Sequence, residues 1–333
     1  MRASLLPLLR CPRCGAERSL EMIVRVSDAH EVREGDLTCA SCASAFAIAN
    51  GIANLLWDAP EYVDREAAGL ERFAAVMRAD GWDRERILAL PDVDLDYWQA
   101  QGRAMRDVLA GAAFEPGQRL LDVGSNTCWA SNIFARQGLD VIALDIATAE
   151  LQGLRTADYF LDSGDVYFER LLSVMYAPAI ASDSLDYVFC CEVLHHNDLA
   201  NLRRTLREMY RVLRPGGRLF IVNEPLRFLL RPKLDHAREV TEFEGNEHVY
   251  SLPRYYLAAR AAGFEIDRPW LRGVPADGAA RLPEGHRLAV AERALRAHGA
   301  GRGLIAANRI ARYAWRHLIA GDRSLFLDCR KPG

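Results

Sequence analysis

Three groups of residues have the types and spacing to do chemistry. Cys11-Pro-Arg-Cys14 and Cys39-Ala-Ser-Cys42 form two CxxC knuckles. Asp122 and Asp145 sit at the ends of two short apolar runs, RLLDV and VIALD, with the turn Gly124-Ser125-Asn126 after the first. Glu192-Val-Leu-His195-His196 follows a third apolar run, LDYVFCC. Four thiolates in two close pairs can close a tetrahedral shell around zinc or iron. An acid about 20 residues beyond a glycine turn can grip ribose hydroxyls. An imidazole titrates near neutrality, so His195 or His196 could take a proton, with Glu192 beside them. A metal site on the two histidines would need a third ligand, and the sequence shows none.

These residues need elements to hold them. Short apolar runs bounded by glycine and by helical segments are the mark of βαβ units on a parallel sheet. Strand and helix alternate from Arg119 onward, which predicts an α/β fold with a doubly wound, mostly parallel sheet. Strands are expected at 120–123, 141–144, 185–191, 218–223, 264–266 and 324–329. A helix is expected near 165–175, another over 198–213 with Asp198 as its N-cap, and a third between Ser251 and Gly263. Two helices over 61–78 and 96–109 precede the first strand and could cover a ligand. Two amphipathic helices near 284–298 and 305–320 form an insertion. The divisions expected are therefore a small metal-stapled unit over 1–60, a helical linker or lid over 61–118, and an α/β domain over 119–333 with an insertion near 271–323.

Composition narrows the classes. The chain has 333 residues, half of them hydrophobic, and a net charge of −3. That balance suits a globular protein with a sizeable core and argues against a surface that coats nucleic acid. Residues 254–323 depart from it, with thirteen Arg against six Asp and Glu; a phosphate-bearing substrate or an acidic partner would suit such a face. No apolar run approaches the roughly 20 residues of a membrane span. The apolar start is short, contains Pro7 and runs into cysteines, which argues against a signal peptide. Four of the eight cysteines are in CxxC pairs and four are scattered, a pattern of metal binding rather than of secreted disulfides. The expected location is cytoplasmic.

Two resemblances add to this reading. Both knuckles and the phrase FAIANGIANLLWD after them resemble the Trm112-like zinc ribbon over roughly residues 6–57, which implies a structural zinc on Cys11, Cys14, Cys39 and Cys42 and a docking role beside a methyltransferase. LLDVGSNTCWAS, VIALDI, SLDYVFCCEVLHH and LRPGGRLFIVNEP resemble successive motifs of the class I S-adenosylmethionine-dependent methyltransferases. The resemblance spans roughly residues 100–330 and implies a Rossmann-like methyltransferase fold.

Physical chemistry favours S-adenosylmethionine over a dinucleotide. A pyrophosphate needs the second and third glycines of GxGxxG for close backbone approach, and Asn126 and Cys128 would crowd that space. The amino-acid end of S-adenosylmethionine is small and zwitterionic, and Gly124, Ser125 and Asn126 with the Asp122 carboxylate could hold it. Asp145 would accept from both ribose hydroxyls, and Ile146 would pack on adenine. The family's acid for the adenine amino group falls on Ser173-Val174-Met175, where none stands, leaving adenine to backbone groups. The acceptor is expected to offer oxygen or nitrogen on a small-molecule or glycan-like compound. Two alternatives stay open: an RNA methyltransferase, with nucleic acid not favoured by charge, and a scaffold that binds S-adenosylmethionine without turnover. The stretch 239–251, mixing acids, His248 and aromatics, is a candidate wall of the acceptor pocket.

Overall fold

Short, fully apolar runs become the strands of one continuous sheet in the computed structural model, which describes residues 1–227, 246–266 and 325–333 with eight isolated positions between 290 and 311. The first four strands, β1 (Leu20–Ser27), β2 (Val32–Cys39), β3 (Ala45–Ala49) and β4 (Ile52–Asn54), make an antiparallel meander. Helices α1 (Glu61–Ala79), α2 (Arg84–Leu88) and α3 (Asp96–Gly111) follow. Then come β5 (Arg119–Val123), α4 (Trp129–Arg136), β6 (Asp140–Asp145), α5 (Asp158–Leu161), β7 (Glu169–Leu172) and β8 (Leu185–Cys191). The remaining elements are α6 (Leu199–Val212), β9 (Leu213–Glu224), α7 (Leu252–Ala261), β10 (Glu265–Ile266) and β11 (Leu325–Arg330).

The eleven strands run in the order β1-β2-β3-β4-β7-β6-β5-β8-β9-β11-β10. Pairings from β4 through β9 are parallel, and β11 is antiparallel to β9 and β10. This is the doubly wound sheet expected of the sequence. Its strand order reverses between β5 and β8, so a crevice opens at the carboxyl ends of those two strands.

The expected helix at 165–175 is instead strand β7. All four residues of Glu169–Leu172 are buried between β4 and β6, and a run that short does not reveal its period. The Arg214-Pro-Gly-Gly217 segment, before the strand expected at 218–223, is carried within β9, with a register shift opposite Asp186. Asp198 caps α6 by accepting from Asn201 N–H at 2.8 Å. The insertion expected near 271–323, with its two helices, lies outside the described residues apart from the isolated positions.

The N-terminal strands join the α/β sheet through β4 and β7, and the two share a core. Leu9, Leu37 and Ile48 pack in one cluster with Leu121, Ile142 and Leu171. Charge reinforces the joint. Arg170, on β7, is completely buried and pairs with Glu31 from the β1–β2 turn and with Asp158 of α5 at 2.6 Å. Glu31 also accepts from the Met1 ammonium at 2.6 Å. Gly51 passes so close to this pair, at φ +76°, that a Cβ would overlap both the Arg170 guanidinium and the Glu31 carboxylate. Removing one partner of a buried pair leaves the other charge unmatched and costs about 3–5 kcal/mol. Arg170→Met should therefore lower the unfolding free energy by about that amount in a urea titration, and hydrogen exchange should rise first in β3 and β4.

Candidate functional site

The carboxyl end of β5 leads into a loop whose path is set by two non-glycine residues in left-handed conformation. Gly124 turns at φ +67°, and a Cβ there would strike Val193 at 2.2 Å. Asn126 (φ +44°) and Cys128 (φ +56°) then adopt the region that glycine favours. The loop thus keeps a glycine-type course without the glycines. The Cys128 side chain is turned inward and fully buried, and Asn126 Nδ2 donates to Gln152 Oε1 at 2.9 Å, so neither fills the space in front of Gly124 as the sequence suggested.

Asp145, at the end of β6, ties this loop down. Its carboxylate accepts from the backbone N–H of Asn126 at 2.9 Å, Ile146 at 2.8 Å and Ala147 at 3.0 Å. Burial pushes its pKa up, against those three bonds. Asp122 accepts from Ser131 Oγ at 2.6 Å, and burial pushes it up to about 7, with the Asp145 charge adding to the rise. Asn126 Oδ1, Thr127 Oγ1 and Ser173 Oγ are buried and make no hydrogen bond among the described residues. Unpaired polar atoms of this kind ask for a polar ligand. Ser173 stands where the adenine acid is lacking, and the sequence reading overlooked its hydroxyl.

The same crevice holds Glu192, His195 and His196, brought in by β8 and the turn after it. Glu224, at the end of β9 and fully buried, accepts from the backbone N–H of Val193, Leu194 and His195 at 2.8, 2.8 and 3.1 Å, and faces His195 Nδ1 at 2.9 Å. Burial opposes its charge, yet the His195 ring and those N–H groups hold its pKa below the usual carboxylate range. His196 Nδ1 lies 2.6 Å from Glu66 on α1 and 3.7 Å from Glu247. Burial works against the charged ring, but Glu66 and Glu247 outweigh it and raise its pKa to about 9. Glu247 also lies 3.3 Å from His195 Nε2. The third donor that the sequence did not show is therefore present: Glu247 arrives from 51 residues along the chain and Glu66 from a helix before the first α/β strand. On the other wall, Glu192 accepts from Tyr97 Oη and from Gln101 Nε2, both on α3.

A cavity of about 720 Å³ lies among these groups, with Asp122, Gly124, Asn126, Asp145 and Ile146 at one end and Glu192 with the two histidines at the other. Helices α1 and α3 cover it through Phe73, Met77, Tyr97 and Trp98, as the helical segment before β5 allowed. Its size falls in the range of about 300–1,000 Å³ typical of ligand pockets. Of the stretch 239–251, residues 246–251 are described, and Glu247 lines the cavity; 239–245 lie outside the described residues.

At the end of β2, the thiols of Cys11, Cys14, Cys39 and Cys42 all lie within 4.8 Å of one another. Sγ–Sγ is 3.7 Å for Cys11–Cys42 and for Cys14–Cys39. A tetrahedral zinc with Zn–S near 2.3 Å demands an edge of about 3.8 Å, so the thiols fit the ion. They are far too separated for disulfides, whose S–S length is about 2.05 Å.

The comparisons with known proteins agree with this geometry. The family described as "Methyltransferase domain" matches residues 121–221, from β5 to β9. The ubiquinone biosynthesis O-methyltransferase of Xanthomonas oryzae pv. oryzae is 35% identical over 164 residues, covering 46% of this chain and 59% of the relative. The chain thus spans less than two thirds of the curated relatives it matches. Among solved structures, Haemonchus contortus phosphoethanolamine N-methyltransferase 2 with S-adenosyl-L-methionine is similar over 79% of this chain and 60% of its own, at 17% identity and a TM-score of 0.49. A complex of the Haloferax volcanii Trm112 methyltransferase activator and a methyltransferase is similar over 79% of this chain and 98% of the matched chain, at 16% identity and a TM-score of 0.47. Residues 121–221, which hold the strand ends on both sides of the crevice, are thus similar to the methyltransferase domain family.

Proposed function

We propose that the chain transfers the methyl group of S-adenosylmethionine to oxygen or nitrogen of a small-molecule or glycan-like acceptor. The observation that carries this is the single cavity joining the Asp145 end to the His195–His196 end. One ligand can lie along the loop after β5 while a second meets it from the other side. The cofactor residues assigned are Asp122, Gly124, Ser125 and Asn126 for the amino-acid end, Asp145 for the ribose, and Ile146 with Ser173 for the adenine. The cofactor supplies an electrophilic methyl; the protein's share is to hold donor and acceptor in line and to exclude water.

The acceptor's proton, where it has one, is taken at the histidine end. Glu224 fixes His195 with Nδ1 turned inward and Nε2 toward the cavity, the arrangement of an oriented base. Glu192, bonded to Tyr97 and Gln101, holds α3 over the cavity and closes it against water. The O-methyltransferase name of the curated relatives supports oxygen as the accepting atom. Acids at the mouth, Glu66, Glu192 and Glu247, would repel a polynucleotide and favour a small acceptor. The fit of the four thiols supports a structural zinc, holding the two knuckles together where a short segment cannot build its own core.

Three measurements test the reading. Asp145→Ala should abolish binding of S-adenosylmethionine in a calorimetric titration, because the ribose loses its acceptor and the loop its tether; unchanged affinity would sink the assignment. His195→Gln should leave that affinity intact and lower methyl transfer by about 10²–10⁴-fold, the usual share of a general base. Asp122 makes the third. With its folded pKa near 7 and an unfolded value of 3.8, it contributes stability that is fully present below about pH 4 and lost as pH rises through about 7. Over those roughly three units the loss is up to ~4 kcal/mol. Asp122→Asn should therefore raise the melting temperature of the ligand-free protein at pH 8 and leave it little changed at pH 4; an equal effect at both would refute the assignment.

A further inference from the structure

We infer that His195, His196 and Glu247 form a binding site for a divalent transition-metal ion at the acceptor end of the cavity, separate from the four thiols. The inference rests on the reading of that end as the acceptor's and refines it: with the ion bound, His195 Nε2 is a ligand in place of the base, and an acceptor that offers oxygen to the metal would lose its proton more readily there.

Four observations converge. The donor atoms of the three residues all lie within 4.8 Å of one another. Two separations, 3.3 Å from His195 Nε2 to Glu247 Oε2 and 3.7 Å from His196 Nδ1 to Glu247 Oε1, bracket the edge of about 3.4 Å that a tetrahedral shell with bonds near 2.1 Å requires. Second, Glu247 Oε2 and His196 Nδ1 are both buried, and neither makes a hydrogen bond of normal geometry among the described residues. His195 Nε2 lies 3.3 Å from the same Glu247 oxygen. Buried polar atoms in this state ask for a partner, and a cation among the three residues would supply it.

Third, the supports of a metal site are in place. A carboxylate on the far nitrogen of a ligating histidine sets its tautomer and raises its basicity, and Glu224 stands there, itself fixed by three backbone N–H groups. The segment bearing Glu247 is clamped to the histidines on both sides: Asn246 Nδ2 donates to the His196 carbonyl at 2.6 Å, and His248 N–H to the His195 carbonyl at 2.7 Å. Fourth, the group lines the cavity, so three protein donors leave an open position toward it, as reactive metal sites do. Two imidazoles and one carboxylate suit zinc, iron(II), cobalt or nickel better than magnesium or calcium. Glu66, 2.6 Å from His196 Nδ1, adds a second negative charge beside the shell.

The test uses the full chain, stripped with chelator under reducing conditions and titrated with cobalt(II). Cobalt on four thiolates gives intense sulfur-to-metal absorption, and cobalt on nitrogen and oxygen gives only weak visible bands. The wild type should take up two equivalents with both signatures. Glu247→Ala and His196→Asn should each lose the weak bands and one equivalent, while the thiolate absorption shows that the fold survives. A wild type that saturates at one equivalent up to millimolar cobalt overturns the site, as would two equivalents retained in both variants. Asp145→Ala separates this from the functional reading: it should keep both equivalents even though cofactor binding is gone.

Discussion

A guanidinium without water must have carboxylates around it, and Arg170 has no exposed surface at all. It sits in β7, between the meander and the α/β strands, and draws one acid from each side: Glu31 from the N-terminal segment and Asp158 from α5. Removing an ion from water costs several kcal/mol, returned only when both partners are in place. The N-terminal strands are thereby committed to one seat, with β4 in parallel register on β7. Since β7 is also the strand that β6 leans on, the position of Asp145 depends on the same seat. The meander is in this way part of the same sheet whose strand ends carry Asp122 and Asp145.

The strands and the cofactor loop were legible in the sequence because their signals are local. LLDV and VIALD are short, wholly apolar and bounded by glycine or acid, and such runs have few other fates. The gathering of the four thiols was legible for a similar reason, since the spacing within each CxxC pair is local. Strand β7 was not, because Glu169-Arg-Leu-Leu carries two charges with distant partners: Arg170 meets Glu31 of the β1–β2 turn and Asp158 of α5, and Glu169 accepts from the Arg2 backbone N–H. Read alone it looks like a helix turn. Burial of an arginine and a glutamate is decided by tertiary partners, which sequence periodicity does not register.

The histidine pair was visible as a motif, but its chemistry was not. What defines it are Glu66, Glu224 and Glu247, which come from α1, the end of β9 and the segment after it. Each alone reads as an ordinary acid, on a helix face or in a polar loop. The glycine loop shows the converse. Its sequence lacks the later glycines, yet Asn126 and Cys128 hold the left-handed angles that glycine would take. Such angles cost of order 1–2 kcal/mol at a residue with a Cβ. The bonds from Asn126 N–H to Asp145 and from Asn126 Nδ2 to Gln152 offset part of that cost. The conformation outlasted the residue type because the carboxylate of Asp145 holds the backbone from below.

Where the acids stand along the cavity also bears on catalysis. In methyl transfer from a sulfonium, positive charge leaves the donor and arrives at the acceptor. Carboxylates beside the donor stabilise the starting state, whereas carboxylates beside the acceptor stabilise the charge as it develops there, and only the second lowers the barrier. At the donor end, burial keeps Asp122 partly protonated near neutrality, and Asp145 has three backbone N–H groups drawing on its charge. At the acceptor end stand Glu66, Glu224 and Glu247, with two imidazoles among them. On the proposed orientation, the negative charge is therefore weighted toward the histidine end, with Glu66 acting on Asp145 as well. An acceptor nitrogen becoming cationic, or an acceptor oxygen losing its proton to that cluster, would each find the cavity better matched to its end point than to its beginning.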